Sequence, residues 1–203
     1  MISASPSVLS LGNCPLDPTL GSGKTRLRWA EGLRTAGYQV DVWDSVALTK
    51  DVPRIGTRFQ LAWGALKNPQ PLNYQLVECF GGEFGWLTRR LAGKKPRPLI
   101  VAHTDGLEPL QAHLTAHLEA TLSFKHRLTR PVHAWLDNMA FQHADAFVGG
   151  CEADVRFAQE KGFFKTTNAA SINVGVDAEY LGIPFQSEKE HRVIFFGTWS
   201  QRK

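Results

Sequence analysis

The sequence of 203 residues has few cysteines, no long apolar run and no pair of aspartates separated by a single residue. Its three cysteines, Cys14, Cys79 and Cys151, lie far apart and show no Cys-x-x-Cys spacing, which argues against a disulfide framework or a structural zinc site. No stretch is long enough for a membrane span, and the N-terminus lacks the basic and apolar regions of a signal peptide. We therefore expect a cytoplasmic protein with reduced thiols.

The charge balance is modest, with a formal net charge of +4 and an isoelectric point near 9.1. One basic cluster stands out, at the end of a predicted helix: Arg89, Arg90, Lys94, Lys95 and Arg97. Such a cluster is typical of a solvated helix C-terminus, and the alternative is contact with an anionic membrane surface or a polyanionic ligand. Nucleic acid is not expected as a partner, because basic and aromatic residues do not alternate along any segment.

Short apolar runs alternate with segments of helical periodicity along most of the chain, and this predicts an α/β protein with a doubly wound, mainly parallel Rossmann-like sheet. The predicted strands are residues 8–12, 39–43, 74–80, 99–102, 146–148 and 171–174. The predicted helices are residues 22–36, 55–66, 84–91, 110–143 and 152–161. Pro131 is expected to divide the long fourth helix, because proline removes a hydrogen bond and clashes with the preceding turn.

The sequence also predicts a division into domains. Residues 1–176 are predicted to form one Rossmann-like domain. Residues 177–191 are predicted to be a linker, because this segment is polar and contains Gly182 and Pro184. Residues 192–203 then have the pattern of a strand and turn that open a second domain.

The segment Gly21-Ser22-Gly23-Lys24-Thr25 has three interpretations. Its Gly-Lys-Thr core is that of a phosphate-binding P-loop, but Pro18 stands where that motif has its first glycine. A glycine-rich turn at a helix N-terminus can still bind an anion through its free N–H groups and the helix dipole. A purely structural helix start is the third interpretation.

Polar residues follow several of the predicted strands. His103 and Asp105 come after the most apolar strand, where they could bind a sugar hydroxyl or transfer a proton, unless the histidine is simply bonded to loop backbone. Glu83 and Glu152 each follow a pair of glycines at a strand-to-helix turn, and each could equally be a favourable acid at a helix N-terminus.

The order of these segments resembles the N-terminal half of a glycosyltransferase of the B fold, and in particular the retaining enzymes of family 4. "GSGKTRLRWAEGLRTAGYQVDVW" is similar to the glycine loop, helix and second strand of that family, and "LIVAHTDGLEPL" to its histidine-bearing strand and loop. "HADAFVGGCEADVRFAQEKG" and "SINVGVDAEYLG" resemble segments further along the acceptor domain. "RVIFFGTWSQRK" resembles the first strand of the donor domain with its phosphate loop.

The resemblance implies the N-terminal part of an enzyme that transfers a hexose from a nucleotide sugar to a polar or lipid-linked acceptor, with no metal and no other cofactor. It would place Gly21, Ser22 and Gly23 against the donor diphosphate and His103 near the transferred sugar. Arg202 and Lys203 would neutralise the leaving diphosphate. Asp105 is the second candidate for catalysis, and Glu83 and Glu152 are candidates for binding the acceptor.

The resemblance places only the first strand and turn of a donor domain within the sequence, so it implies that the chain alone is inactive or nearly so. Peripheral contact with a membrane is consistent with the basic cluster. Two other functions remain open at this point. One is a P-loop kinase or NTPase that uses Lys24 and Thr25, and the other is a Rossmann-like binding module without enzymatic activity.

Overall fold

The computed structural model describes residues 5–54, 56–68, 70–104, 106–107, 109–110, 113 and 124–173. The strands are β1 (Ser7–Gly12), β2 (Gln39–Trp43), β3 (Leu76–Phe80), β4 (Leu99–His103), β5 (Ala146–Gly149) and β6 (Ala169–Ser171). The α-helices are α1 (Gly21–Thr35), α2 (Ser45–Thr49), α3 (Thr57–Lys67), α4 (Gly85–Ala92), α5 (Phe124–Gln142) and α6 (Glu152–Glu160). Single 3-10 turns occupy Gln70–Asn73 and Gly82–Phe84.

The six strands form one sheet in the order β2-β1-β3-β4-β5-β6, and every neighbouring pair is parallel. The predicted α/β class with a Rossmann-like parallel sheet is thus confirmed. Strands β1 and β3 are the most buried, as expected for a parallel sheet covered by helices. The register aligns Ser10 with Glu78, and Phe80 with His103.

Helices cover both faces of the sheet, and the direction of each crossover decides the face. The chain runs from β1 outward to β2, and α1 buries Ala30 against Val8 and Val40 on one face. The later crossovers run in the opposite direction, so right-handed connections place their helices on the other face. The larger core lies there and includes Leu61 of α3, Leu87 of α4 and residues of α5 and α6.

The expected break at Pro131 is wrong, because α5 continues from Phe124 to Gln142 with Pro131 inside it. An interior proline costs about 3 kcal/mol. The second half of α5 buries Leu136 and Phe141 almost completely, and each such side chain contributes roughly 1.5–3 kcal/mol. Packing therefore offsets the lost hydrogen bond.

The last described strand differs from its predicted position. β6 spans Ala169–Ser171, two residues earlier than the predicted strand, because Ala169 pairs with Phe147 of β5. The predicted linker and second domain lie outside the described residues, so the domain division stays a prediction. Within the described ranges, no helix combines the length and apolar character needed to cross a bilayer.

A bidentate ion pair fixes the junction of β4 and β5. Arg97 Nη1 and Nη2 donate to the two carboxylate oxygens of Asp145 at 2.5 and 2.7 Å, and the Ile100 N–H donates to the same carboxylate at 2.9 Å. The hydrogen bonds from Arg97 hold the pKa of Asp145 below its ordinary value of 3.8, and the Ile100 N–H adds to this effect. The charged pair therefore stabilises the fold above pH 3.8, and its contribution is lost as the pH falls through the lowered pKa.

We expect Asp145→Asn to lower the free energy of unfolding by about 1 kcal/mol at pH 7, the upper part of the range for a partly exposed pair. The difference from the unchanged protein should shrink towards zero as the pH falls below about 3.8. Urea denaturation over this pH range measures both quantities. Glu31→Gln is the control, because Arg28 and Glu31 form an exposed i,i+3 pair that should contribute almost nothing. A difference for Asp145→Asn that does not change with pH would contradict the prediction.

Candidate functional site

The candidate site lies where the direction of the crossovers reverses. The chain goes from β1 to one neighbour, β2, and later occupies the other side of β1 with β3. Ligands in open α/β sheets bind at the carboxyl ends of the strands beside such a switch point. The loops that follow β1 and β3 meet there, together with the residues that follow β4.

A cavity of about 310 Å³ opens at this edge, and we call it the switch-point cavity. Its lining comes from five separate parts of the chain: Asn13, Cys14 and Ser22; Arg58; Gly81, Gly82 and Glu83; Thr104 and Gly106; and Asp137 and Phe141. The volume is at the lower end of the range for small-molecule sites.

An ionic network runs along the wall of the cavity. Arg58 Nε lies 3.4 Å from Glu83 Oε1, and Arg58 Nη1 lies 3.2 Å from Asp137 Oδ1. Asn13 Nδ2 donates to the second oxygen of Glu83 at 3.3 Å. Both carboxylates are buried, whereas Arg58 is 23% exposed. Among the described lining residues, two anions thus face one cation.

The glycine pair after β3 is needed because these carboxylates occupy the space beside it. Gly81 has φ +101°, a left-handed conformation that side chains rarely adopt. A Cβ on Gly82 would lie 1.8 Å from Asp137 Oδ1 and 2.6 Å from the Asp137 Cα. The Gly81-Gly82 turn therefore lets helix α5 bring Asp137 directly against the backbone.

The first turn of α1 carries the predicted phosphate-binding residues. Ser22 lines the cavity, while Gly21 is exposed and Gly23 is buried beneath the preceding loop. A Cβ on Gly23 would lie 2.3 Å from the Asp17 carbonyl oxygen and 2.9 Å from that of Pro15. The loop from Asn13 to Leu20 is thus folded onto the helix start. This packing argues against the open nest of N–H groups that a P-loop uses to hold phosphate.

A buried polar array lies beside the cavity, on the face of the sheet that α1 covers. His103 Nδ1 lies 2.8 Å from Glu78 Oε1, and Ser10 Oγ donates to Glu78 Oε2 at 3.0 Å. Phe80 stacks on the His103 ring with a centroid distance of 4.0 Å, and Trp29 contacts the ring edge-on at 4.9 Å. All three polar residues of the array are buried. The position of the His103 ring is therefore fixed on several sides.

Arg26 of α1 is buried close to this array. Its Nη2 donates to the carbonyl oxygens of Ser10 and Trp43 at 3.4 Å, and its guanidinium lies 5.4 Å from the centre of the Phe80 ring. Burial lowers the pKa of Arg26 from its ordinary value. A Cβ on Gly12 would lie within 1.6 Å of Arg26 Nη1, so the end of β1 needs a glycine to admit this cation.

The structure brings some of the predicted site residues together and separates others. Ser22 and Glu83 line one cavity, and His103 is adjacent in sequence to Thr104, which also lines it. Glu152 is exposed in the first turn of α6 and is not among the lining residues, so its predicted acceptor role has no support from position. Asp105, Arg202 and Lys203 lie outside the described ranges, so their roles stay predictions.

Four polar residues of this region were missed by the sequence interpretation: Asn13, Arg58, Glu78 and Asp137. Glu78 had a detectable signal, since a carboxylate in the middle of the apolar strand Leu76–Phe80 must find buried partners. Asp137 directly follows the apolar residues Trp135 and Leu136 of α5, which is a weaker signal of the same kind. Arg58 gives no local signal at all.

Comparison with known proteins identifies a solved structure with a similar fold. The sequence matches no family model and no curated protein. The sheet and helices share the fold of a sucrose-phosphate synthase. The solved structure of that enzyme from Thermosynechococcus elongatus matches with a TM-score of 0.60 at 12% sequence identity, over 88% of this chain and 53% of that chain. The chain thus spans about half the length of this structural neighbour, and at this identity the match establishes the fold alone.

Proposed function

We propose that this chain is the acceptor-side domain of a glycosyltransferase of the B fold, and that the switch-point cavity binds a hydroxyl-rich acceptor. The observation that carries the proposal is the cavity itself. It lies at the switch point of a parallel sheet, and it combines a buried pair of carboxylates with an arginine and an asparagine amide. The donor would be a nucleotide sugar that binds between this domain and a second domain. Its binding would require no metal.

The polar groups of the cavity suit a neutral polyol. The carboxylates of Glu83 and Asp137 can accept hydrogen bonds from sugar hydroxyls, and Arg58 and Asn13 can donate to hydroxyl oxygens. Because two anions line the wall against one cation, a phosphorylated or carboxylated ligand would meet net repulsion from the described lining residues. We therefore propose a neutral sugar or polyol rather than a sugar phosphate as the bound group.

The fold comparison and the sequence resemblance support the same class of enzyme from separate observations. The structural neighbour is by name a synthase of sucrose phosphate, a product that contains a glycosidic bond. The ordered segments of the sequence resemble family 4 glycosyltransferases. Because the chain covers about half of the neighbour, the donor-binding half would come from chain beyond the described domain.

In such an enzyme, the residues predicted from the sequence would contact different parts of the two substrates. Of Gly21, Ser22 and Gly23, only the first two are accessible in the first turn of α1, so their N–H groups and the Ser22 hydroxyl would face the donor diphosphate, while Gly23 would only support the turn. His103, held by Glu78, would contact the transferred sugar, with Asp105 nearby in sequence. Arg202 and Lys203 would neutralise the leaving diphosphate. Glu83 would bind the acceptor, and the same role for Glu152 would require a second contact outside the cavity.

The test is a titration of the chain in which binding is measured by NMR chemical shifts or by calorimetry. The ligands are neutral hexoses and disaccharides, a hexose phosphate and nucleotide sugars. We expect a neutral sugar to bind more tightly than its phosphorylated form. Glu83→Gln should weaken that binding about tenfold, since a hydrogen bond to a charged group contributes roughly 1.5–3 kcal/mol. Glu31→Gln is the control, because Glu31 is exposed on α1 and is not among the residues that line the cavity.

Two results would overturn the proposal. One is preferential binding of the sugar phosphate that is unchanged by Glu83→Gln. The other is magnesium-dependent ATP binding that is lost in Lys24→Ala, which would favour the P-loop alternative. The absence of any response to sugars or nucleotides would favour a binding module of another kind.

A further inference from the structure

A second surface of the chain combines exposed aromatic rings with positive charge. Trp63, Leu66, Trp86, Arg89 and Arg90 border an open groove of about 500 Å³ between α3 and α4, which we call the tryptophan–arginine groove. Trp63 is 39% exposed, and its ring meets that of Trp86 edge-on at 6.4 Å. The groove shares no lining residue with the switch-point cavity.

Cations surround the groove, and acidic residues are missing from the segments that form it. The sequence contains no aspartate or glutamate in residues 57–75 or in residues 84–98. The same segments carry five exposed cations: Lys67, Arg89, Arg90, Lys94 and Lys95. The whole chain has 23 basic and 19 acidic residues, so an even distribution of charge would place acidic residues in these two segments as well.

The cations and rings are organised together rather than merely close in sequence. Lys67 Nζ lies over the Trp63 ring at 5.4 Å, and Arg90 Nη1 donates to the Leu66 carbonyl oxygen. Arg89 also acts on a neighbouring residue, since burial and then the charges of Arg89 and Lys165 lower the pKa of His143. Positive charge is therefore also present next to His143, close to Arg89.

We propose that the tryptophan–arginine groove binds the headgroup region of a bilayer that contains anionic phospholipids. Indole rings favour the boundary between headgroups and acyl chains, because one edge is polar and the body is apolar. Lysine and arginine side chains bind lipid phosphates while their apolar stems lie along the surface. An apolar groove bordered by cations and free of acids within its own segments has the composition of such a contact.

The arrangement of the rings favours a lipid surface over a nucleic acid. Single-stranded nucleic acids stack their bases on flat exposed ring faces, whereas Trp63 and Trp86 meet at an interplanar angle of 77°. The proposal does not depend on the function of the cavity. The two sites are nevertheless adjacent in the chain, since α3 contributes Arg58 to the cavity and Trp63 to the groove.

The experiment is vesicle flotation of the full chain with phosphatidylcholine alone and with phosphatidylcholine that contains phosphatidylglycerol. We expect binding only to the vesicles with phosphatidylglycerol, and a steep decrease with added salt. The double variant Arg89→Gln, Lys94→Gln should weaken the binding about thirtyfold, from the usual contribution of two basic residues near an anionic surface. Trp63→Ala should weaken it about tenfold or more through lost apolar contact.

A matched control changes the net charge by the same amount elsewhere. The double variant Arg28→Gln, Lys161→Gln removes two cations from α1 and from the end of α6, outside the acid-free segments, and should bind vesicles like the unchanged chain. Thermal melting shows that each variant is folded. Equal binding to both kinds of vesicle, or equal loss in both double variants, would overturn the proposal. Tight binding to RNA that is lost in Trp63→Ala would also overturn it, because the groove would then be a nucleic-acid site.

Discussion

Replacing Gly82 by alanine is expected to lower the free energy of unfolding by about 3 kcal/mol or more. The new Cβ would lie 1.8 Å from Asp137 Oδ1, and a side-chain rotation could relieve that contact. It would also lie 2.6 Å from the Asp137 Cα, so the backbone of α5 must move as well. Because α5 also buries Leu136 and Ala140, this movement would disturb the core. Urea denaturation measures the loss.

The control for this substitution is Gly32→Ala in the last turn of α1. A Cβ at Gly32 would have no heavy atom within 4 Å, and alanine favours a helix over glycine by about 1 kcal/mol. We therefore expect the control to be more stable than the unchanged protein. If Gly82→Ala were equally stable, the close approach of Asp137 to the Gly81-Gly82 turn would be wrong, and with it the shape of the cavity wall.

The sequence predicted most strands and helices because their signals are local. Short apolar runs, such as the four residues 99–102, and helices that end at glycine carry enough information within one segment. The prediction missed α2, a single turn capped by Asp44, whose Oδ1 accepts from the Ala47 N–H at 2.8 Å. It also divided α5 at Pro131, because the burial that keeps this helix continuous depends on other elements of the fold.

Only some residues of the candidate site could be predicted from the sequence, because the others are brought together by packing between distant elements. Glycine turns after strands are local patterns, and two residues that they indicated, Ser22 and Glu83, line the cavity, while their binding roles stay predictions. Arg58 and Asp137 are 79 positions apart in the chain, and they meet only when α3 and α5 pack on the same face of the sheet. No local pattern distinguishes Arg58 from a solvated arginine. Contacts over such distances require the three-dimensional fold.

The switch-point cavity and the buried array beside it differ in polarity and in access to solvent. The switch-point cavity is open and polar, with Arg58 partly exposed between two carboxylates. The array of Ser10, Glu78 and His103 is closed and has aromatic rings against it. A ligand can reach the cavity directly, whereas Ser10 and Glu78 can act only by holding the His103 ring in place.

Replacing Glu78 by leucine is expected to lower the free energy of unfolding by about 3 kcal/mol. The substitution keeps an apolar strand but removes the acceptor of two hydrogen bonds, so Ser10 Oγ and His103 Nδ1 would stay buried without partners. Glu78→Gln should cost less, because the amide oxygen can still accept one of these bonds. Chemical denaturation of both variants gives the two values.

The same substitutions should have separate effects on the His103 ring, which nitrogen chemical shifts of the imidazole can follow. In the unchanged protein, the bond to Glu78 fixes Nδ1 as the partner of the carboxylate. Glu78→Leu should therefore alter the shifts of both ring nitrogens, whereas Ser10→Ala should cost only about 1 kcal/mol and leave them nearly unchanged. If Glu78→Leu altered stability but not the ring shifts, Glu78 would be a structural residue of the core, and the proposal that it positions the His103 ring would be wrong.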